Sequence, residues 1–157
     1  MAEEAAAAHT VPETAAALRL QRTFAAPRED VYRAWTDPQA MTQWFGSRSV
    51  RKPSAEADVR PGGRYRITMR SRTGYTIHCF GTYLEVEPPE RLVYTFAWQK
   101  MGLLTRGMGD SRVTVEFRDL GGSTEVSLTH ELRDTRWLHA FHAWGWRRSL
   151  DNLERML

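Results

Sequence analysis

The sequence has little cysteine, little lysine and no long apolar run. Its one cysteine, Cys79, has no partner for an internal disulfide and excludes a cysteine metal cluster, so we expect a small buried hydrophobic residue. No apolar run approaches the ~20 residues that a membrane-spanning helix needs. The chain opens with acidic and alanine residues, unlike the basic start of a signal peptide. These absences predict a cytoplasmic protein without a membrane span.

Positive charge comes almost entirely from arginine, because Lys52 and Lys100 are the only lysines. The formal net charge is only +3 and is spread along the chain, whereas nucleic-acid-binding proteins usually concentrate a basic face. We therefore expect no nucleic-acid partner. A chain of 157 residues holds one ordinary domain. Residues 1–17 are alanine-rich and interrupted by Pro12, which predicts a flexible tail, or a loosely docked helix over 13–18, before a domain over 18–157.

The first part of that domain predicts one strand and two short helices. Apolar and polar residues alternate over 18–24, which is the period of a strand. Pro27 suits the first turn of a helix, and Asp37-Pro38 separates it from a second helix that stops at Gly46. The apolar faces of these helices are formed by Val31, Ala34, Trp35, Met41, Trp44 and Phe45. Helices this short cannot bury such faces alone, so we expect them to pack on a sheet.

Alternating runs separated by short turns then predict a meander of hairpins. The predicted strands cover about 54–60, 64–70, 75–86, 91–99, 111–117 and 124–130. Residues 134–157 lack proline and predict one long helix with two apolar stripes. One stripe is Trp137, Phe141 and Trp144, and the other is Trp146, Leu150, Leu153 and Leu157. Because a glycine inside a helix costs about 1 kcal/mol against alanine, we expect tight packing at Gly145.

These elements predict an α+β fold in which a curved antiparallel sheet of about six or seven strands wraps around the long C-terminal helix. Five motifs in sequence order are typical of one family. They are APREDVYRAWTDP (26–38) with QWFG (43–46), DVRPGGRYR (58–66), GTYLEVEPPERLVY (81–94), VTVEF (113–117) with GG (121–122), and GW (145–146). Over residues 18–157 the chain resembles the activator of heat-shock-protein-90 ATPase homologue (AHSA-like) family. That family belongs to the START-like (SRPBCC, helix-grip, Bet v-type) superfamily.

The resemblance implies a helix-grip fold with a cavity between the sheet and the long helix. Relatives bind lipids, polyketides, hormones or other apolar molecules there, and a few catalyse cyclisation or dehydration. The co-chaperone that names the family has a further N-terminal domain that this sequence lacks, which argues against a chaperone interaction. Because one fold hosts many functions, these are expectations by analogy.

We therefore expect the cavity to hold a small apolar or amphipathic ligand, without a cofactor. Residues whose strand or helix parity points into the grip, together with possible polar contacts, make up the predicted site. They are Arg22, Tyr65, Met69, His78, Tyr94, Phe96, Trp98, Phe117, His130, Trp137, Phe141 and Trp144. Arg22 would bind a carboxylate or phosphate, or instead pair with an acidic residue at the cavity mouth. His130 would be a satisfied core residue or an acid–base group, and the strand pattern leaves the facing of His78 open.

Two other functions stay open at this point. A cyclase or dehydratase would use His78 or His130 to move a proton on a polyketide-like substrate. A protein-interaction module would show an exposed aromatic patch outside the grip, and a homodimer is left open.

Two further groups of polar residues give weaker signals. His130, Glu131, His139 and His142 form a poor zinc pattern, because no third ligand is fixed. The arginines on one strand face are expected to pair with acidic residues of neighbouring strands rather than to bind an anion. The arginines are Arg64, Arg66, Arg70 and Arg72, and the acidic residues are Glu56, Asp58, Glu85 and Glu87.

Overall fold

The computed structural model describes residues 15–48, 50–99, 110–133 and 136–157. Within these ranges the order of elements matches the prediction. The elements are β1 (Ala15–Phe24), α1 (Arg28–Thr36), α2 (Pro38–Trp44), β2 (Arg51–Ala57), β3 (Arg64–Arg70), β4 (Thr76–Glu87), β5 (Arg91–Trp98), β6 (Ser111–Asp119), β7 (Thr124–Arg133) and α3 (Arg136–Met156). The α+β class and the helix-grip arrangement are confirmed.

The described strands form one curved antiparallel sheet in the order β1-β7-β6-β5-β4-β3-β2. Sequence neighbours from β2 to β7 pair as hairpins, while β1 joins the sheet by pairing with β7. Strand β1 begins at Ala15, three residues before the expected domain boundary at residue 18. Residues 15–17 therefore belong to a strand, and the predictions of a flexible tail or a helix there are wrong. Residues 1–14 lie outside the described part, so the prediction of a flexible tail there is untested.

The two short helices form as their sequence predicts. Glu29 and Asp30 lie in the first turn of α1, where acidic side chains favour the positive end of the helix. Asp37 caps α2 by accepting a hydrogen bond from the Gln39 backbone N–H at 3.0 Å. Their apolar faces meet, since the indole N–H of Trp44 donates to the Ala34 carbonyl at 2.7 Å. The pair therefore closes over the sheet as one unit.

Helix α3 lies in the grip with one face in the core. Trp146, Leu150 and Leu153 are at most 4% exposed, which confirms these three residues of the predicted stripe as an inner face, whereas Leu157 is 40% exposed and lies beyond the helix end. Two polar residues of the same face hold the end of α2. The Ser149 hydroxyl accepts from the Gly46 backbone N–H at 2.8 Å, and the Asn152 amide donates to the Gly46 carbonyl at 2.8 Å. The end of α2 is thus fixed to α3 by hydrogen bonds as well as by packing.

The other predicted stripe of α3 does not point into the grip. Trp137, Phe141 and Trp144 are 59%, 37% and 50% exposed. The inner positions belong to residues on nearly the opposite side of the helix, among them Leu138 and His142. Both arcs of α3 carry aromatic residues, and only one arc can face a sheet.

Two glycines differ in how closely the rest of the protein packs against them. A Cβ added at Gly145 would meet nothing within 4 Å, so the expected tight packing there is wrong. A Cβ at Gly81 would lie 1.8 Å from the Thr95 carbonyl oxygen and 2.8 Å from the Tyr65 ring. Strand β4 therefore needs a glycine at 81 to approach β5 this closely.

Candidate ligand-binding site

An aromatic cavity lies between the two short helices and the middle of the sheet. Its free volume is about 20 Å³, which is room for about one water molecule. The lining residues are Trp35, Met41, Trp44, Phe45, Tyr65, Ile67, Tyr83, Tyr94 and Phe96. Typical ligand pockets are roughly 300–1,000 Å³, so most of the space in the grip is filled by the protein's own rings.

Three tyrosines form the sheet side of this aromatic cavity. Tyr83 and Tyr94 are directly opposite each other in the β4–β5 ladder, and Tyr65 is opposite Gly81 in the β3–β4 ladder. Their ring centroids are 5.4 to 6.1 Å apart, in tilted and edge-on arrangements. The absence of a side chain at Gly81 leaves room for the Tyr65 ring. The pairing of the three strands thus brings three tyrosine rings together in one small space.

The polar atoms around the cavity are mostly donors. The Tyr65 hydroxyl is used internally, since it donates to the Thr95 carbonyl at 2.7 Å. The indole N–H of Trp35 is buried and has no hydrogen-bond acceptor among the residues that the structure describes. It lies close enough to the Tyr94 hydroxyl to lower the pKa of that group, but without the geometry of a hydrogen bond. A buried N–H without an acceptor is costly, and it marks a place where an acceptor would be stabilised.

Burial controls the ionisation of these phenols. Desolvation raises the pKa of Tyr65, Tyr83 and Tyr94 above the ordinary value for tyrosine, and in Tyr94 it outweighs the opposing effect of Trp35. The hydroxyls therefore stay protonated at physiological pH. They can donate hydrogen bonds, and none of them is a ready general base.

His130 is sealed in the core beside α3. It is fully buried and sits between two partners that set its tautomer. Nδ1 accepts from the Trp146 indole N–H at 3.0 Å, so the proton is on Nε2, which donates to the Ser111 hydroxyl at 2.7 Å. That hydroxyl donates in turn to the Phe96 carbonyl at 2.9 Å. Both ring nitrogens are thus used, which favours the satisfied core residue over the acid–base group.

His142 has the complementary arrangement on α3 itself. Its Nδ1 donates to the Leu138 carbonyl at 2.9 Å, while Nε2 accepts from the Trp98 indole N–H at 3.2 Å. The rings of His130 and His142 are 4.9 Å apart and edge-on. Desolvation lowers the pKa of both histidines, and for His130 the neighbouring His142 lowers it further. The pair is therefore neutral in the folded protein.

Two predicted polar contacts lie outside the aromatic cavity. Arg22 pairs with Asp151 of α3 at 2.6 Å, which is the alternative of an ion pair with an acidic residue. His78 follows the parity opposite to the buried Cys79, so it is on the outer face of the sheet, bonded to the Thr68 hydroxyl at 3.0 Å. Neither side chain is placed to orient a ligand in the cavity.

Of the predicted aromatic and apolar residues, Tyr65, Tyr94 and Phe96 line the aromatic cavity. Met69 and Phe117 are buried beside it, and the indole N–H of Trp98 donates a hydrogen bond to His142. The three outer residues of α3 contribute nothing to the lining. Sequence reasoning missed Tyr83, and it treated Trp35, Trp44 and Phe45 only as packing residues. Counting back from the Pro88-Pro89 turn would put Leu84 opposite Tyr94, and only the register shift between Tyr83 and Glu85 brings Tyr83 to that position.

The structure also places the two weaker polar patterns. No group of three histidine, cysteine or acidic residues among the described ones is arranged to hold a metal ion. The register places Glu56 opposite Arg66, as cross-strand pairing predicts, but Asp58 pairs instead with Arg60 and Glu85 with Arg91 among the described residues. The register places Arg51 opposite Arg70. Arg64, Arg66, Arg70 and Arg72 remain exposed without an ion pair to a described residue.

A second concavity lies against β6 and β7, nearer the β1 edge of the sheet. It is larger, about 410 Å³, but it is open to solvent and contains the Arg118–Glu125 ion pair. Its lining is mainly charged, apart from Phe117. An apolar ligand would find little to bury there. The aromatic cavity is therefore the stronger candidate site.

A curved antiparallel sheet that grips a long C-terminal helix, with an aromatic cavity under two short helices, defines a helix-grip protein of the START-like class. The family described as activator of Hsp90 ATPase homolog 1-like protein matches residues 25–157, and the chain belongs to this family. No helix in the described residues is long and apolar enough to cross a membrane.

Solved structures agree with this assignment. Protein CV1439 from Chromobacterium violaceum is 29% identical with a TM-score of 0.74, over 89% of this chain and 95% of that one. A protein from Rhizobium leguminosarum is 28% identical with a TM-score of 0.74, over 89% and 92% of the two chains. CalU16 from Micromonospora echinospora, at 24% identity and a TM-score of 0.67 over 88% and 74%, shares the fold. A search of curated proteins gives no significant match.

Proposed function

We propose that this protein binds a small, mostly apolar molecule carrying one hydrogen-bond acceptor, in the aromatic cavity. The observation that carries the proposal is the buried Trp35 N–H without an acceptor, beside the Tyr94 hydroxyl, in a lining that is otherwise rings and aliphatic side chains. A carbonyl or ether oxygen placed there would satisfy both donors. The surrounding rings would supply affinity through burial of apolar surface.

The size of the cavity restricts how binding proceeds. A free volume of about 20 Å³ admits no more than a water-sized group, so a larger ligand must displace lining side chains. The end of α2 is fixed to Ser149 and Asn152, so we expect the lining side chains of Met41 and Phe45 to move before the helix backbone does. Binding would then be coupled to local repacking under α2.

The cyclase or dehydratase hypothesis is less well supported. Its proton carrier would be His78 or His130, but one lies on the outer face of the sheet and the other has both nitrogens engaged. The tyrosines of the cavity have raised pKa values and hold their protons. The interaction-module hypothesis gains from the exposed aromatic residues of α3. A cytoplasmic location and the absence of a cofactor stay predictions.

Native mass spectrometry against a panel of phenols, flavonoids and fatty acids tests the proposal. For any ligand found, Trp35→Phe and Tyr94→Phe each remove one donor while keeping a ring. We expect each to weaken binding by roughly 5- to 30-fold, the equivalent of about 1–2 kcal/mol for a buried hydrogen bond. Tyr75→Phe, on the exposed β3–β4 hairpin, is the matched control and should bind as wild type.

Two outcomes would contradict the proposal. One is a protein that binds nothing across the panel. The other is ligand binding that survives both Trp35→Phe and Tyr94→Phe unchanged, because the acceptor would then be recognised elsewhere. Thermal unfolding of each variant separates loss of binding from loss of fold.

A further inference from the structure

The exposed aromatic residues of α3 form a continuous outer stripe. Trp137, Phe141 and Trp144 recur at i, i+4 and i+7, so they share one face over about 10 Å of helix. The rings of Trp137 and Phe141 are stacked, with centroids 5.6 Å apart and an interplanar angle of 11°. All three are more than a third exposed. A contiguous patch of large, solvent-exposed aromatic rings marks a site of interaction with another molecule or a membrane.

Over residues 136–150 of α3 the charge around the outer stripe is of one sign, and the acidic residues Asp151 and Glu154 follow at its C-terminal end, both within 4 Å of Arg22. Arg148 continues the same face, with its guanidinium carbon 5.9 Å from the centroid of the Trp144 ring. Arg136 and Arg147 flank the stripe and are exposed. The helix carries no Asp or Glu from 136 to 150, and the first acidic residue, Asp151, is already paired with Arg22. The stripe is therefore aromatic at its centre and cationic at its edges.

We propose that the outer face of α3 docks on an anionic lipid surface. Indole rings settle at the boundary of headgroups and acyl chains, because one part of the ring is apolar and its N–H can reach a polar partner. Arginine guanidinium groups bind lipid phosphates through paired hydrogen bonds. A helix with one aromatic face and a cationic margin lies in the plane of the interface and does not cross it. This docking is independent of the ligand proposed for the aromatic cavity.

The same observations disfavour the two other occupants of such a face. A second copy docked about a two-fold axis at the middle of the stripe would bring Arg136 of one copy toward Arg147 and Arg148 of the other, with no acidic residue of 136–150 between them. A protein partner would need an acidic surface of its own to meet this face, because every charged side chain of α3 from 136 to 150 is an arginine. A bilayer rich in phosphate supplies acceptors everywhere along the stripe. The buried inner face of α3 keeps the outer stripe on a rigid support.

Co-sedimentation of the full chain with vesicles tests the proposal. We expect binding to phosphatidylcholine vesicles that contain phosphatidylglycerol, little binding to phosphatidylcholine alone, and weaker binding as salt increases. Trp137→Gln with Trp144→Gln should reduce the bound fraction at least ~10-fold through loss of the interfacial rings. Arg147→Gln with Arg148→Gln should reduce it ~10-fold or more through loss of two phosphate contacts.

Matched controls remove the same chemistry elsewhere. Tyr75→Gln takes an exposed ring from the β3–β4 hairpin, and Arg66→Gln with Arg70→Gln takes two unpaired charges from β3. Both should bind vesicles as wild type, and thermal unfolding should show every variant folded. Equal loss in the controls, or no binding to anionic vesicles, would overturn the proposal. So would a wild-type dimer that becomes monomeric only in the tryptophan variants, because the stripe would then be a contact between copies.

Discussion

Both faces of α3 carry tryptophan, but in opposite environments. The inner face buries Trp146, whose N–H is bonded to His130 across the core. The outer face exposes Trp137 and Trp144, whose nearest partners are residues of the same helix. The two faces differ in their contacts with the sheet. Trp146 contacts His130 of β7 and Phe96 of β5. On the outer face, the ring contact with a described strand is the one between Phe141 and Trp98. The presence of rings alone therefore does not show which face of a helix is buried.

The largest expected effect comes from removing the buried ring. Trp146→Ala should lower the free energy of unfolding by about 3–5 kcal/mol, because it opens a cavity and leaves His130 Nδ1 without a donor. Trp144→Ala, two positions away, should change it by no more than about 0.5 kcal/mol. Urea unfolding of both variants measures the difference. Similar losses would mean that the two faces are equally engaged in the fold.

The inner face should also make the fold sensitive to acid. His130 and His142 have lowered pKa values in the folded protein, while the unfolded chain binds protons near the ordinary pKa of 6.5. Stability should therefore be full above pH 6.5 and fall as the pH drops below it, by at most about 1.4 kcal/mol per pH unit for each histidine. The carboxyl of Asp151, whose pKa lies below 3.8, titrates in a lower window.

Urea midpoints between pH 7.5 and 4.5 test this dependence. His142→Gln removes one titrating group while keeping an acceptor for Trp98, so the slope should fall by about half. A free energy of unfolding that stays flat from pH 7 to pH 5 would contradict the neutral buried pair.

The smallest expected effect lies at the boundary between the two faces. Gly145→Ala should raise the free energy of unfolding by up to about 1 kcal/mol, since an added Cβ meets open space and alanine favours the helix. A gain of that size would raise Tm by about 2–4 °C for a domain of this length. Gly81→Ala is the contrasting change, because its Cβ would strike the Thr95 carbonyl and destabilise the sheet. A loss at Gly145 would show that something does pack there.

The fold could be predicted closely because its signals are local. Pro27, Asp37-Pro38 and the strand alternation fix where elements begin and end, and the family motifs imply the helix-grip arrangement. The candidate site was predicted less well, because it depends on which groups converge across the sheet. Tyr65, Tyr94 and Phe96 had the right parity, but the proximity of Tyr83 to them follows from strand pairing rather than from spacing in one strand.

For Arg22 and His130 the structure favours the ion pair and the satisfied core residue over a contact with a ligand, and both outcomes have a common physical origin. Arg22 and His130 share the parity of inward residues, yet Asp151 and Trp146 on α3 occupy their polar atoms. Those partners lie 129 and 16 residues away along the chain. The rotation of α3 about its own axis decides both contacts, and a helix that is apolar over so wide an arc leaves that rotation undetermined in the sequence.

The pairing of β1 with β7 has a consequence for how the protein is made. Phe24 pairs with Thr124 at one end of that ladder, so β1 cannot pair with β7 until the residues between them have been synthesised. At typical elongation rates of about 5–20 residues per second, this wait lasts on the order of 5–20 s. During that interval β1 exposes an unpaired edge, and the growing chain is most open to aggregation or to binding by chaperones.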